Sequence, residues 1–170
     1  MPIDLTRLAT ARLALRPVAA ADIGFVAELF ARPELTAHRP DPRPDSHAAV
    51  VARLEADGVH WARHGFGRWL LTAEDHPVGL GGLTVKDGFD GLNLSYHLHP
   101  DHWGKGYATE FARAALEVAF GPLRAPRVVG LVRPANPASR AVLERLGFRY
   151  ERSLPLQGAP TDLFALDAPG

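Results

Sequence analysis

Near the middle of the chain the apolar pattern changes period within a few residues, across the stretch HPDHWGKGYATEFARAAL at 99–116. Before it, LNLSYHL alternates as a strand does. After it, apolar residues recur at helical spacing, and two glycines, Gly104 and Gly106, stand between the two patterns. A strand ended by Pro100 and a helix predicted from about Gly104 to Phe120 need a turn of bare backbone to join them. The first-turn amides of a helix lack internal partners and, with the helix dipole, favour an anion. Glycines at 104 and 106 let a phosphate approach with no Cβ in the way; the same residues also suit a plain helix start with a tight turn. Two other nucleotide motifs fit badly. The spacing and the absence of a terminal Lys-Ser/Thr exclude a P-loop, and Thr109 stands where a dinucleotide fingerprint has its third glycine.

The rest of the chain supplies neighbours for this unit. RLALRPV alternates as a strand, and in ADIGFVAELFA Asp22 is placed to cap a helix with Ile23, Val26 and Leu29 or Phe30 on one face. Four prolines in residues 31–46 break that helix and predict a long loop. Asp45 or Ser46 can cap HAAVVARLEADGVHWARHG, which Gly65 closes. GRWLLTAEDHPVGLGGLTV predicts a hairpin turning at Asp75 to Pro77. After the central helix come a strand RVVGLV, a helix NPASRAVLERLG and a closing pair around FRYERSLPL and TDLFALD. The order βααβββαβαββ predicts an α+β fold, an α/β/α sandwich with helices on both faces of a mixed sheet. No repeat or linker divides residues 1–170, so one domain is expected.

Charge and cysteine content narrow the function classes. Nineteen basic side chains balance nineteen acidic ones, so no net field draws the chain to nucleic acid or membrane. Without cysteine there are no disulfides, thiolate metal sites or cysteine nucleophiles, which points to a reducing cytoplasm. The opening MPIDLTRLATARLALRP has charges throughout and no uninterrupted apolar core, and is expected to be neither signal peptide nor membrane span. His97, His99 and His102 raise the question of a metal trio. Pro100 turns the chain before the third, and no acidic ligand stands at matching spacing, so no metal is expected.

NLSYHLHPDHWGKGYATE, followed after one strand by NPASRAVLERLGFRYE, resembles the GNAT acetyltransferase superfamily, in particular its RimJ/RimL-like branch of ribosomal-protein N-terminal acetyltransferases. The resemblance covers most of the chain. It implies a splayed, mostly antiparallel sheet holding acetyl-CoA between the fourth and fifth strands. The pyrophosphate would sit on the loop Trp103, Gly104, Lys105, Gly106, Tyr107, Ala108 and the adjoining Thr109, with Trp103 in place of the family's usual Gln or Arg. Pantetheine would pair with the backbone near Leu98 and His99, where a main-chain amide would polarise the thioester carbonyl. Asn136 would hydrogen-bond the pantetheine as well as cap its helix.

The resemblance also exposes two departures. Many members carry a Tyr as general acid where this chain has Leu143, and the branch's Asn-x-x-Ser pattern assigns that role to Ser139, which is equally suited to solvating a first helical turn. Asn93 stands where relatives often carry a Glu base, leaving His97, His99 or water to take the proton. His38 and Arg39, in the proline-rich loop that borders the family's acceptor pocket, are candidates for substrate contact. The implied activity is acetyl transfer to a primary amine, a protein N-terminus or a small molecule, by a monomer or homodimer. The alternative is a non-catalytic acyl-CoA-binding or regulatory domain.

Overall fold

Each periodic segment finds its partner in the structure, a computed structural model that describes residues 3–170. Met1 and Pro2, part of the expected domain and of the opening segment, lie outside the described residues. The strands are β1 (Leu8–Ala9), β2 (Ala14–Pro17), β3 (Arg68–Ala73), β4 (His76–Val85), β5 (Leu92–Leu98), β6 (Arg127–Val132), β7 (Arg149–Leu156) and β8 (Ala159–Asp167). The helices are α1 (Ile23–Leu29), α2 (Pro33–Thr36), α3 (His47–His64), α4 (Tyr107–Phe120) and α5 (Pro137–Arg145). None of these helices is long and apolar enough to cross a membrane.

The order ββαααβββαβαββ adds two elements to the expected one. The first, β1, is two residues long, too short to leave an alternating pattern. The second, α2, lies inside the stretch expected to be all loop; Pro33 opens it at the first turn, where a missing N–H costs nothing. Ser46 caps α3 by accepting from the Ala49 amide, and Gly65, at φ 75°, ends it. Asp22 does not cap α1 with its side chain. Its carboxylate accepts from the Ala19 amide and from both ends of the Arg16 guanidinium. The hairpin turns at Glu74 and Asp75, both left-handed, slightly earlier than expected.

The eight strands form one sheet in the order β1-β2-β3-β4-β5-β6-β8-β7. Every pairing is antiparallel except that of β5 with β6. On one face α1 and α3 bury Val26, Leu29, Phe30, Val50 and Leu54 with Leu80 of β4. On the other, Phe111 and Ala115 of α4 and Leu143 of α5 pack with Trp69, Leu71 and Leu94. Arg68 and the buried Asp57 make a two-pronged ion pair, 2.7 and 3.0 Å, that pins α3 to β3. The parallel pairing matters most for function. It holds only at Leu92 with Val128 and Asn93 with Val129, and beyond Asn93 the two strands part.

Candidate active site

Where β5 and β6 separate, the sheet opens into a cleft of about 440 Å³. Its walls are β5 from Asn93 to Leu98, β6 from Gly130, the start of α4, α5, and the segment around Glu34 and His38. Strand alternation gives the two sides of the cleft different residues. Tyr96 pairs with Gly81 and faces α4, where its ring meets Phe111 edge-on. His97 pairs with Leu80 and faces α1 and α3, edge-on to Phe30.

The backbone of β5 settles which expected amide is open. His99 donates its N–H to the Val78 carbonyl at 2.9 Å, and its ring, buried, pairs with Glu28 of α1 at 3.1 Å. The His99 amide is therefore committed to β4 and is not the group that would meet a thioester. Alternation turns the N–H of Leu98 the other way, into the gap that β6 has left. The Leu98 carbonyl accepts from the Trp103 indole at 2.8 Å, so Trp103, half exposed, lies across the end of the strand.

The glycine loop follows. Gly104 and Gly106 have φ of 77° and 81°, left-handed values that favour glycine, so backbone conformation as well as open approach selects them. The helix starts at Tyr107 rather than Gly104, with Gly106 as a cap that carries no side chain. No side chain takes the first-turn amides of α4, which is the arrangement a phosphate needs. Behind the loop, Arg12 donates to the Lys105 carbonyl at 2.7 Å, stacks over the Tyr107 ring at 4.7 Å and pairs with Glu110 at 2.7 Å. Burial works against the charge of Glu110, but hydrogen bonds from Thr10 and Arg12 outweigh it and hold the carboxyl below its ordinary range. Glu110 thus serves the loop through Arg12.

On α5, Asn136 caps the helix by accepting from the Ser139 amide at 3.3 Å. Ser139 in turn shares a hydrogen bond of 3.1 Å with the Tyr96 hydroxyl across the cleft, a contact between residues 43 apart that no sequence pattern announced. Leu143, one turn on, is buried against Gly130, whose lack of a side chain makes the room. It lines the cleft with an apolar group that has no proton to give.

The structure brings most of the expected residues into one site. Leu98, Trp103, Gly104, Gly106, Tyr107, Ala108 and Thr109 line the cleft, as do Asn136, Ser139, His38 and His97. Three do not line it. Lys105 contributes its carbonyl to Arg12, Arg39 is turned to Asp45 and the Arg43 carbonyl, and His99 points to Glu28. His97 fails as a base for a different reason. Burial first, then the charges of Arg53 and Arg68, push its pKa to about 3. An effective base has a pKa near the working pH, so this ring stays neutral and takes no proton. His38 is also pushed below its ordinary value, by burial and by Arg39 and Arg133. Among the described residues no group of three or more His, Cys, Asp or Glu is placed to hold a metal ion.

Comparison with known proteins agrees with this geometry. An uncharacterized protein of Bacillus subtilis, YkkB, is 29% identical over 168 residues, with 94% of each chain covered. An acetyltransferase from Agrobacterium tumefaciens superposes with a TM-score of 0.82 at 28% identity, over 98% of this chain and 96% of that one. Mycobacterium smegmatis RimJ, solved in complex with CoA-disulfide, superposes with a TM-score of 0.75 at 25% identity, over 92% and 82%. Residues 12–149 match the family model of the acetyltransferase (GNAT) domain, and that match, over a sheet parted beside a glycine-started helix, shows that the chain belongs to the GNAT acetyltransferase family.

Proposed function

We propose that this chain, as one domain over residues 1–170, is a cytoplasmic N-acetyltransferase of the RimJ/RimL-like kind whose acceptor is an α-amine, that of a protein N-terminus or of a small molecule. The observation that carries the reading is the parting of β5 from β6 in one cleft with a loop of open amides. Acetyl-CoA supplies an activated acetyl group as a thioester. The amides of residues 106–109 and the α4 dipole would hold its pyrophosphate. The free edge of β5 would pair with its pantetheine, Asn136 would add a contact from α5, and the Leu98 N–H would stabilise negative charge on the carbonyl oxygen under attack. Ser139, in the first turn of α5, lines the same cleft and would stand near the leaving sulfur, which needs a proton. The RimJ likeness supports the branch, and the chain acts as a monomer or homodimer in this reading.

The preference for an α-amine follows from the bases the cleft lacks. His97 is held neutral with a pKa of about 3, and Asn93 carries no charge. Glu34, the one carboxylate lining the cleft among the described residues, is held below its ordinary range by its hydrogen bond from Arg32. His38, also in the cleft, is pushed below its ordinary value by burial and by Arg39 and Arg133, so in this reading the nitrogen arrives neutral or loses its proton to water. At pH 7.5 about a third of an ordinary α-amine is neutral but only about a thousandth of a lysine. The test compares an N-terminally blocked peptide bearing one lysine with its unblocked, lysine-free counterpart from about pH 6.5 to about 9. The unblocked peptide is expected to react faster, with a rate that levels off near its amine pKa. Faster acetylation of the blocked lysine peptide at neutral pH overturns the assignment.

A further inference from the structure

Ser139 by itself is a poor source of a proton for sulfur. An aliphatic hydroxyl releases its proton about as reluctantly as water, whose pKa is about 15.7, while a thiol of the cysteine type has one of about 8.5. A phenol, at about 10, lies within about 1.5 of the thiol. The cleft holds such a phenol in contact with Ser139. Tyr96 follows closely after Asn93, the last β5 residue paired with β6, and precedes Leu98 by two residues, so both lie along the opened edge. Its ring is fixed edge-on by Phe111, and its hydroxyl is 3.1 Å from Ser139 Oγ. Tyr107, the other phenol in the cleft, stands at the start of α4 with its ring under Arg12, and no hydrogen bond joins it to Ser139.

Given the acetyl-transfer reading above, on which this rests, we propose that Tyr96 is the proton source for the departing CoA thiolate, with Ser139 as its hydrogen-bonded partner. The amine nitrogen forms a bond to the thioester carbonyl carbon, the carbon–sulfur bond breaks, and its electron pair goes to sulfur. Sulfur takes one proton from the hydroxyl pair, and whichever member faces it, the deficit settles on Tyr96, the stronger acid. The nitrogen gives its surplus proton to water, and Tyr96 recovers one from water, so protons balance over the cycle. Burial pushes the Tyr96 phenol above its ordinary value despite the bond from Ser139, so it is protonated at neutral pH and a weaker acid than a free phenol, though still a stronger one than the Ser139 hydroxyl.

Tyr96→Phe keeps the ring against Phe111 and removes only the hydroxyl. It is expected to lower kcat about a hundredfold, within the range of acid–base groups, while calorimetric affinity for CoA stays within about twofold. Ser139→Ala is expected to cost less, and the double variant no more than Tyr96→Phe alone, because the two act as a unit. A second readout needs no turnover. The ultraviolet titration of the thiol of bound CoA is expected to move to higher pH in Tyr96→Phe, since the phenol no longer donates to the thiolate. An unchanged kcat, an unchanged thiol titration or strictly additive losses would each overturn the role of Tyr96. If Tyr96→Phe fails to fold, 3-fluorotyrosine at position 96, a more acidic phenol of nearly the same size, keeps the test: the thiol titration is expected to move to lower pH, and an unchanged titration overturns the role. Wild-type protein that acetylates no amine counts against the acetyl-transfer reading instead, and the thiol titration still tests Tyr96.

Discussion

His97 should make the fold sensitive to acid in a way that a single substitution removes. In the folded chain the ring titrates at about 3, pushed there by burial and by Arg53, Arg68, His38 and Arg39 around it. In the unfolded chain it returns to about 6.5. Below pH 6.5 the unfolded state binds the additional proton, so stability is complete above that value and falls as the pH drops toward 3. At about 1.36 kcal/mol per pK unit, the loss from His97 reaches about 3 kcal/mol at pH 4.5 and levels off near 5 kcal/mol below about pH 3. His97→Asn cannot titrate there. It changes absolute stability, but its stability should fall by about 3 kcal/mol less than that of the wild type between about pH 7 and about pH 4.5. Urea unfolding at the two pH values measures this difference, and contributions independent of His97, such as that of His102, cancel. Equal losses in the two proteins would refute the placement of a neutral ring at this point in the cleft.

Gly106→Asp should leave the protein folded and abolish CoA binding by calorimetry. Aspartate tolerates the left-handed backbone better than most residues and its Cβ would displace only the end of the Arg12 side chain, 3.3 Å away, but its charge would stand among the amides meant for pyrophosphate. Gly106→Ala separates the added carbon from the added charge, and unchanged affinity in the aspartate variant would overturn the phosphate assignment. Asp57→Asn strands the Arg68 guanidinium beside α3 and should destabilise by about 3 to 5 kcal/mol, lowering Tm by roughly 10 °C. A Tm within about 2 °C of wild type would show that the pair contributes little.

Features set by a few adjacent residues were legible in the sequence. Ser46 and Asn136 cap helices, Gly65 ends one, and the β3–β4 hairpin and the glycine loop lie where the pattern placed them to within a few residues. Each is a local solution to unpaired backbone groups, so the residues that solve it stand next to the problem. The site's electrostatics were not legible, because they depend on contacts between distant segments. Tyr96 meets Ser139 only through the parting of two strands, and Arg12 meets Glu110 across 98 residues. His97 looked like a base by residue type; its neighbours Arg53 and Arg68 come from a helix and a strand that the sequence does not align with it. One local signal was available for Tyr96. Alternation places it and Leu98 on the same side of β5, opposite His97, so the strand pattern alone could have singled it out.

Arg12 and Thr10 lie in the connection between β1 and β2, and their hold on Glu110 and the Lys105 carbonyl joins the glycine loop to the edge of the sheet. The loop gives up its freedom when that edge forms during folding rather than when a ligand arrives. Amides already aimed spare an incoming phosphate the entropic cost of ordering them, so affinity reflects the contacts more fully. The same tether sets how the loop opens. Its release requires the β1–β2 edge to let go, so solvent exchange at residues 104–109 should follow the opening of that edge as one cooperative unit, even though the two segments are far apart in the chain.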